Sequence, residues 1–195
     1  KAWVMGGNAA LRKDVRIHWA TPVEPAFHAR FSAEFRCYRY LVANTPIEPA
    51  LLRDQVTWHR RPLDAGAMHA AAQALRGELD FSAFRAAACQ SRSPMRFVRS
   101  ISVSRHGELV VLEIVANAFL HHMVRNIAGA LLMVGDGRRP VEWVDELREG
   151  GDRTVGADTA SPAGLYLADV EYPAGFGLPP TPYGPLLVAA LAPAP

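Results

Sequence analysis

Residues 117–129 have the sequence N-A-F-L-H-H-M-V-R-N-I-A-G, and the chain stays largely apolar from there to Val134. Side chains three and four positions apart lie on the same face of a helix. One face of this stretch is nearly all apolar, and it consists of Phe119, Met123, Asn126, Ile127, Ala130, Leu131 and Val134. The pattern predicts a helix that begins near residue 117 and is buried against a sheet.

A basic pair stands beside that apolar face. His121 and Arg125 lie four residues apart on a neighbouring face of the predicted helix. A guanidinium held against a core requires an anion, because its pKa is too high for it to lose its charge and burying an unpaired charge is costly. The residues alone leave two sources open for that anion, a carboxylate of the protein or a phosphate of a ligand.

Residue alternation and turn signals predict five strands. They cover residues 14–20, 34–42, 97–105, 108–116 and 164–172, and the third and fourth form a hairpin around His106-Gly107. In the second strand, Tyr38 and Tyr40 share a side with Arg36 and Val42. The opposite side of that strand carries Phe35, Cys37, Arg39 and Leu41.

Two further helices follow from capping signals. One covers 63–75, with Asp64 as N-cap and Gly77 as C-cap, and the other runs from Pro140 to Leu147. Because strands and helices do not alternate regularly, we expect an α+β fold in which helices cover one face of an antiparallel sheet. We expect a single domain over residues 1–173 and an extended Pro- and Gly-rich tail over 174–195.

Composition restricts the class of protein. The 195 residues include 21 Lys and Arg against 19 Asp and Glu, and the only lysines are Lys1 and Lys13. Arginine is suited to bidentate binding of phosphate or carboxylate. Cys37 and Cys89 have no metal or redox spacing, which excludes a disulfide framework and fits a reducing compartment. With no long apolar run and no export signal, we expect a cytoplasmic protein, and the lack of an initiator Met predicts that it is part of a longer sequence.

Two groups of residues are candidates for RNA binding. Tyr38 and Tyr40 are interleaved with Arg36 on one strand face, where aromatic rings stack bases and cations hold phosphates. The competing interpretation places both rings in the core. Residues 81–107 contain no acidic residue and include Arg92 and Arg96, which favours a phosphate-binding loop, although a solvated loop has the same composition.

Other kinds of site find less support. His121 and His122 are adjacent, so they point about a quarter-turn apart on a helix, and the sequence around them offers no third ligand in an H-x-x-x-H pattern. We therefore expect no metal site there. No Ser or Cys lies in a Gly-flanked strained turn of the kind that presents a nucleophile.

Six blocks of sequence, taken together and in order, resemble the C-terminal two-thirds of the bacterial tRNA pseudouridine synthase A family. They are F-H-A-R-F-S-A at 27–33, C-Y-R-Y at 37–40, D-F-S-A-F-R at 80–85, C-Q-S-R-S-P at 89–94, the stretch at 117–129, and G-L-Y-L at 164–167. The resemblance implies an antiparallel sheet flanked by helices. It also implies isomerisation of uridine to pseudouridine in the anticodon stem-loop of tRNA by a homodimer that uses no cofactor.

The resemblance also assigns roles to individual residues. Tyr38 matches the family's active-site tyrosine, Arg125 matches the basic residue that pairs with the catalytic aspartate, and Leu167 matches an apolar residue near the target base. We add Arg92, Arg96 and His121 as expected substrate-binding residues. The family's aspartate belongs to a G-R-T-D-x-G-V-H segment that this sequence does not contain, so we expect the chain alone to be inactive.

Neither Asp80 nor Asp136 replaces that aspartate, because one opens the D-F-S-A-F-R block and the other follows the central helix. Two alternative functions stay open. In the first, the chain is a non-catalytic RNA-binding module, in which Arg125 pairs with a local acid such as Glu113 or Asp169. In the second, it is a hydrolase that uses His121 or His122 as a base.

Overall fold

The structure is a computed structural model, and it describes residues 1–179. Its centre is a six-stranded sheet of β1 (Phe35–Ala43), β2 (Thr57–Trp58), β3 (Gly77–Asp80), β4 (Met95–His106), β5 (Leu109–Ala116) and β6 (Leu165–Glu171). The strand order is β2-β1-β5-β4-β3, and β6 lies beside β1 on the same edge as β2. Every pair is antiparallel except the short β1–β2 pair, which the sequence did not predict.

Four helices accompany the sheet within the described residues: α1 (Ala2–Ala10), α2 (Ala65–Ala72), α3 (Met123–Gly135) and α4 (Trp143–Gly150). The main core lies between one sheet face and α2, α3 and α4, which confirms the predicted α+β class. Asp64 caps α2 as predicted, since its carboxylate accepts a hydrogen bond from the backbone N–H of Ala67 at 2.9 Å. In residues 1–179, no helix has the length and apolar character needed to cross a membrane.

The central helix begins later than the sequence predicts. His122 has a left-handed backbone (φ 60°), and α3 starts only at Met123. The left-handed residue breaks the helical path, because a helix requires consecutive right-handed residues. His121 and Phe119 therefore lie on a loop before the helix, and His121 does not share a helix face with Arg125.

The predicted strand at 14–20 is wrong. The backbone there is irregular, and Ile17 bonds to the side chain of Asn8 instead of to a neighbouring strand, at 2.8 Å through both its N–H and its C=O. Alternation alone does not form a strand when no partner strand lies alongside. Asn8 belongs to α1, a helix that was not predicted from the sequence.

Other boundaries shift for local reasons. Gly77, predicted as a helix C-cap, has a φ of 101° and is the first residue of β3. The helix predicted from Pro140 starts at Trp143, because residues 140–142 form a turn. In the predicted tail, residues Ala174–Phe176 form a short 3-10 turn, and the remainder from residue 180 lies outside the described residues.

The alternation of β1 is confirmed: Tyr38 and Tyr40 lie on the same face of the sheet, and they differ only in how deeply they are buried. Tyr40 and Val42 are buried in the main core, whereas Leu41 and Ala43 face a second, smaller cluster on the opposite side of the sheet. The Tyr40 hydroxyl donates to the carbonyl of Ser161 at 2.8 Å, so this tyrosine is a core residue with its polar atom satisfied. Tyr38 is only half-buried and lies where the core meets the surface.

Candidate functional site

A cavity of about 700 Å³ opens at the end of β1 that carries Tyr38. Its walls come from β1, from the loop before β1, from the loop before β4 and from the loop before α3. The lining residues are Arg30, Arg36, Tyr38, Ala88, Cys89, Gln90, Ser91, Arg96, Ala118, Phe119 and His121. The wall contains three arginines and no carboxylate, so its electrostatic potential favours an anionic ligand.

Tyr38 supplies an aromatic surface to this cavity. Its ring lies edge-on against Phe119, with centroids 4.9 Å apart and an interplanar angle of 80°. Phe119 fixes the tyrosine ring in place, as edge-to-face packing does between aromatic side chains. Across the sheet, the backbone partner of Tyr38 is Leu167 on β6, and Leu167 is 50% exposed. Leu167 also borders a separate, mostly apolar cavity of about 540 Å³.

Arg36 joins three backbone segments around the cavity. Its guanidinium donates to the carbonyl of Ala33 at 2.9 Å, to that of Asn117 at 2.6 Å and to that of Arg30 at 2.5 Å. All three acceptors are neutral, so its charge is not cancelled by an ion pair. Across the described chain, Arg30 and Arg96 also lack a carboxylate partner. The cavity therefore keeps its positive charge.

The loop at 86–94 is shaped by two arginines. Arg85 donates to the carbonyls of Cys89 at 3.0 Å and Ser91 at 2.6 Å, which bends the loop around its guanidinium. Arg96 donates to the Ser91 hydroxyl at 2.7 Å, and its Nε is buried without a hydrogen-bond partner within residues 1–179. Arg92 lies on this loop as well, but it is exposed and does not line the cavity.

His121 is part of the cavity wall and is tied to the same loop. Its backbone N–H donates to the Cys89 sulfur at 3.3 Å, and its carbonyl accepts from the N–H of Ala86 at 3.1 Å. The ring of His121 stacks on that of His122, with centroids 3.9 Å apart. In the part of the chain that the structure describes, no three His, Cys, Asp or Glu residues are grouped as metal ligands.

The two cysteines have opposite environments. Burial and, to a smaller extent, the nearby Glu113 carboxylate together raise the pKa of the Cys37 thiol to about 11. Burial acts in the same direction on Cys89, but hydrogen bonds from the backbone N–H groups of His121 and Ser91 and the adjacent Arg85 outweigh it. The pKa of Cys89 is therefore lowered from its ordinary value, and its thiolate is the more populated of the two.

We expect iodoacetamide at pH 7.5 to alkylate Cys89 at least about tenfold faster than Cys37. The thiolate is the reacting species, and the higher thiolate fraction of Cys89 outweighs its lower intrinsic nucleophilicity. Time-resolved peptide mass spectrometry on the folded protein measures both rates. Equal rates in the folded protein would contradict the assigned environments, and the two rates should converge once the protein is unfolded in urea.

Arg125 lies outside the cavity wall. Its Nε donates to the carbonyl of Ala160 at 2.6 Å, and no carboxylate oxygen of residues 1–179 lies within 4.0 Å of its guanidinium. The local acid Glu113 is paired instead with Arg39 at 2.6 Å. Burial raises the pKa of Tyr40, and the charge of Arg125 partly opposes that rise.

The structure therefore gathers some of the expected site residues and separates others. Tyr38, Arg96 and His121 share one cavity, Leu167 is the strand neighbour of Tyr38, and Arg92 and Arg125 lie outside the wall. Arg30, Arg85 and Phe119 were not predicted as site residues from the sequence. Arg30 and Arg85 belong to two of the six quoted blocks, and the acid-free segment 81–107 also contains Arg85. The sequence therefore carried a signal for both arginines.

Comparison with known proteins gives a consistent result. The family model described as tRNA pseudouridine synthase matches residues 71–173. A tRNA pseudouridine synthase A of Pseudomonas aeruginosa is 52% identical over 191 residues, which cover 98% of this chain and 67% of the relative. Those of Alcanivorax borkumensis and Tolumonas auensis are 53% and 52% identical, with 95% of this chain aligned to 70% and 71% of theirs. This chain belongs to the tRNA pseudouridine synthase A family.

Proposed function

We propose that this chain forms the tRNA-binding surface and most of the active site of an enzyme that isomerises uridine to pseudouridine in the anticodon stem-loop. The aspartate nucleophile is contributed by sequence outside these 195 residues. The observation that carries the proposal is the carboxylate-free cavity, in which the Tyr38–Phe119 ring pair lies beside Arg30, Arg36 and Arg96. Membership of the tRNA pseudouridine synthase A family supports it.

The cavity suits an extruded nucleotide. A base must leave its stack before an enzyme reaches the glycosidic bond, which costs a few kcal/mol, and an aromatic ring such as Tyr38 recovers part of that cost by stacking. The arginines provide planar donors for the phosphates on either side. His121 lies at the mouth of the same cavity, where it is exposed to solvent.

The reaction requires a carboxylate that the described residues do not offer at the cavity. Isomerisation breaks the bond between C1′ and N1 and forms one between C1′ and C5, while the C5 proton leaves and N1 gains one. Covalent catalysis by a carboxylate divides this exchange into two steps. Asp80 caps the turn at Ser82, and the fully buried side chain of Asp136 binds Arg138 and His59, so neither is free for this role.

In this proposal Arg125 binds the incoming aspartate through the part of its guanidinium that Ala160 does not occupy. A neighbouring cation keeps a carboxylate ionised and oriented. The proposal further includes a homodimer in the cytoplasm that acts without a cofactor, as the family resemblance implies. Sedimentation velocity of the protein with and without tRNA measures the assembly state.

Tritium release tests the proposed reaction, because the C5 hydrogen of the target uridine is lost. A tRNA labelled with tritium at uridine C5 is incubated with the 195-residue chain and with the protein that includes the aspartate-bearing segment. We expect both to bind the tRNA and only the longer protein to release tritium. Release by the 195-residue chain alone would contradict the external nucleophile, and absence of tRNA binding by either would overturn the whole proposal.

A second candidate function is RNA binding without catalysis. It is favoured by the position of Arg125, which lies outside the cavity wall and is bound to a backbone carbonyl. In that case the longer protein binds tRNA without releasing tritium. The tritium assay therefore separates the two candidates directly.

Replacing the exposed Arg92 tests whether the loop at 86–94 binds phosphate. We expect Arg92→Ala to weaken tRNA binding and to reduce the slope of log affinity against log salt by about 0.7 to 0.9, the value of one released counterion contact. Fluorescence anisotropy with labelled tRNA over a salt series measures the slope.

Arg53 provides the matched control for this variant. It is exposed, lies outside the cavity and pairs with Asp54 at 3.5 Å. Arg53→Ala should leave the salt slope unchanged. A slope for Arg92→Ala equal to that of the unmodified protein would mean that the loop is solvated and does not contact phosphate.

A further inference from the structure

An exposed aromatic residue stands at the rim of the cavity. Phe31 is 77% exposed, although it directly follows Arg30, whose side chain lines the cavity. The centre of its ring lies 5.7 Å from the Arg30 guanidinium, so the ring lies next to the cavity without being part of its wall. A large apolar ring left in water next to a cationic cavity is a candidate for contact with the same ligand.

The loop that carries Phe31 is held in shape by hydrogen bonds. The His28 ring accepts from the backbone N–H groups of Arg30 at 3.1 Å and Phe31 at 3.3 Å, and the backbone N–H of Ser32 donates to the His28 carbonyl at 2.8 Å. Tyr172 of the segment after β6 donates to the carbonyl of Ala29 at 2.8 Å. Since the loop is already ordered, a ligand that contacts Phe31 loses little entropy in arranging it.

The exposed ring is also supported from behind. The rings of His28 and Phe31 lie 4.4 Å apart at an angle of 35°, and the Arg30 guanidinium lies 5.7 Å from the centre of the Phe31 ring. This arrangement combines a fixed aromatic face with a cation, which are the two features that bind an unpaired nucleotide. A protein partner would need only the apolar face, and the neighbouring arginine would then be left without an anion.

We propose that Phe31, supported by His28, is a stacking site for an unpaired RNA base next to the nucleotide held in the cavity. Arg30 contacts the phosphate that joins these two nucleotides. The proposal rests on the function proposed above, because it requires an RNA strand that enters the cavity. It adds a second base-binding position, outside the cavity, that contributes to affinity and to the choice of single-stranded over paired substrate.

Fluorescence of 2-aminopurine tests the site, because this base analogue loses fluorescence when it stacks on an aromatic ring. Anticodon stem-loop RNAs carry the analogue at each loop position beside the target uridine in turn, and each is titrated with the protein that includes the aspartate-bearing segment. We expect quenching at one neighbouring position. Phe31→Ala should abolish that quenching and weaken binding at least about fivefold, and Phe31→Trp should restore both.

Trp3→Ala is the matched control, since Trp3 is 84% exposed and does not line the cavity. The Trp3→Ala variant should quench 2-aminopurine and bind the RNA as strongly as the unmodified protein does. If the unmodified protein binds and converts the RNA while Phe31→Ala keeps full quenching and affinity, the stacking site is refuted and the proposed function stands. If Phe31→Ala changes the sedimentation coefficient in the absence of RNA, the ring contacts a second copy of the protein and the proposal is also refuted. If the unmodified protein binds no RNA, the proposed function fails first.

Discussion

Replacing Arg125 with alanine, in the protein that includes the aspartate-bearing segment, is expected to lower the rate of uridine isomerisation at least about a hundredfold. That is the usual effect of removing one group that stabilises charge in an active site. The fold should survive, because within residues 1–179 the side chain makes a single hydrogen bond, from Nε to the Ala160 carbonyl, and the backbone bond from the Ala160 N–H to the Arg125 carbonyl is retained. Tritium release measures the rate, and circular dichroism measures the fold.

Arg153 offers a control for the structural part of this effect. Its guanidinium donates to Asn126 at 3.1 Å and to Thr159 at 3.2 Å, so it binds the same loop as Arg125, one residue earlier. If Arg125 only holds this loop, Arg153→Ala should lower the isomerisation rate by a similar factor. A much smaller loss in Arg153→Ala supports the proposed role of Arg125, and unfolding of Arg125→Ala would show that its role is structural.

A large loss of stability is expected when Gly129, in the middle of α3, is replaced with alanine. A Cβ atom at this position would lie 2.2 Å from the carbonyl oxygen of Asp158. The backbone of Gly129 and the carbonyl group of Asp158 are both packed in place, so neither can move away without separating α3 from the loop that contains Asp158. We expect Gly129→Ala to lower the free energy of unfolding by about 3 kcal/mol or more, measured by urea denaturation.

Gly150, at the last position of α4, allows the same substitution without a clash. No atom lies within 4 Å of a Cβ built there, and alanine favours the helical conformation. Gly150→Ala should therefore leave stability unchanged or raise it by up to about 1 kcal/mol. Equal stability of the two variants would mean that the loop around Asp158 is not packed against α3 in solution.

The contact at Gly129 also bears on the site. The loop after Asp158 includes Ala160, which binds Arg125, and it continues through Gly164 into β6, where Leu167 pairs with Tyr38. Gly164 itself is packed so closely that a Cβ would lie 2.3 Å from the Leu41 carbonyl. Gly129 and Gly164 thus allow the loop between Asp158 and β6 to pack closely, so that this loop links α3, which carries Arg125, with the strand beside Tyr38.

Much of the fold could be predicted because its signals are local. The β4–β5 hairpin forms around Gly107, which has the positive φ that its turn requires, and Asp64 caps α2 through a residue three positions away. The prediction failed at 14–20, where alternation was present but Asn8 satisfied the backbone in place of a strand. It also missed the strands β2 and β3, because their two and four residues are too few to show a clear alternating pattern.

The sequence by itself determined the fold class and the family, since periodicity, caps and six ordered blocks are all properties of neighbouring residues. Only the tertiary structure decided that Tyr40 is a core residue and Tyr38 a half-buried one, and that Arg96 and His121 join Tyr38 in one cavity. It also placed Arg125 outside the wall of that cavity. The physical reason is that burial and proximity depend on contacts between residues distant in sequence, and these form only when sheet, helix and loops pack together.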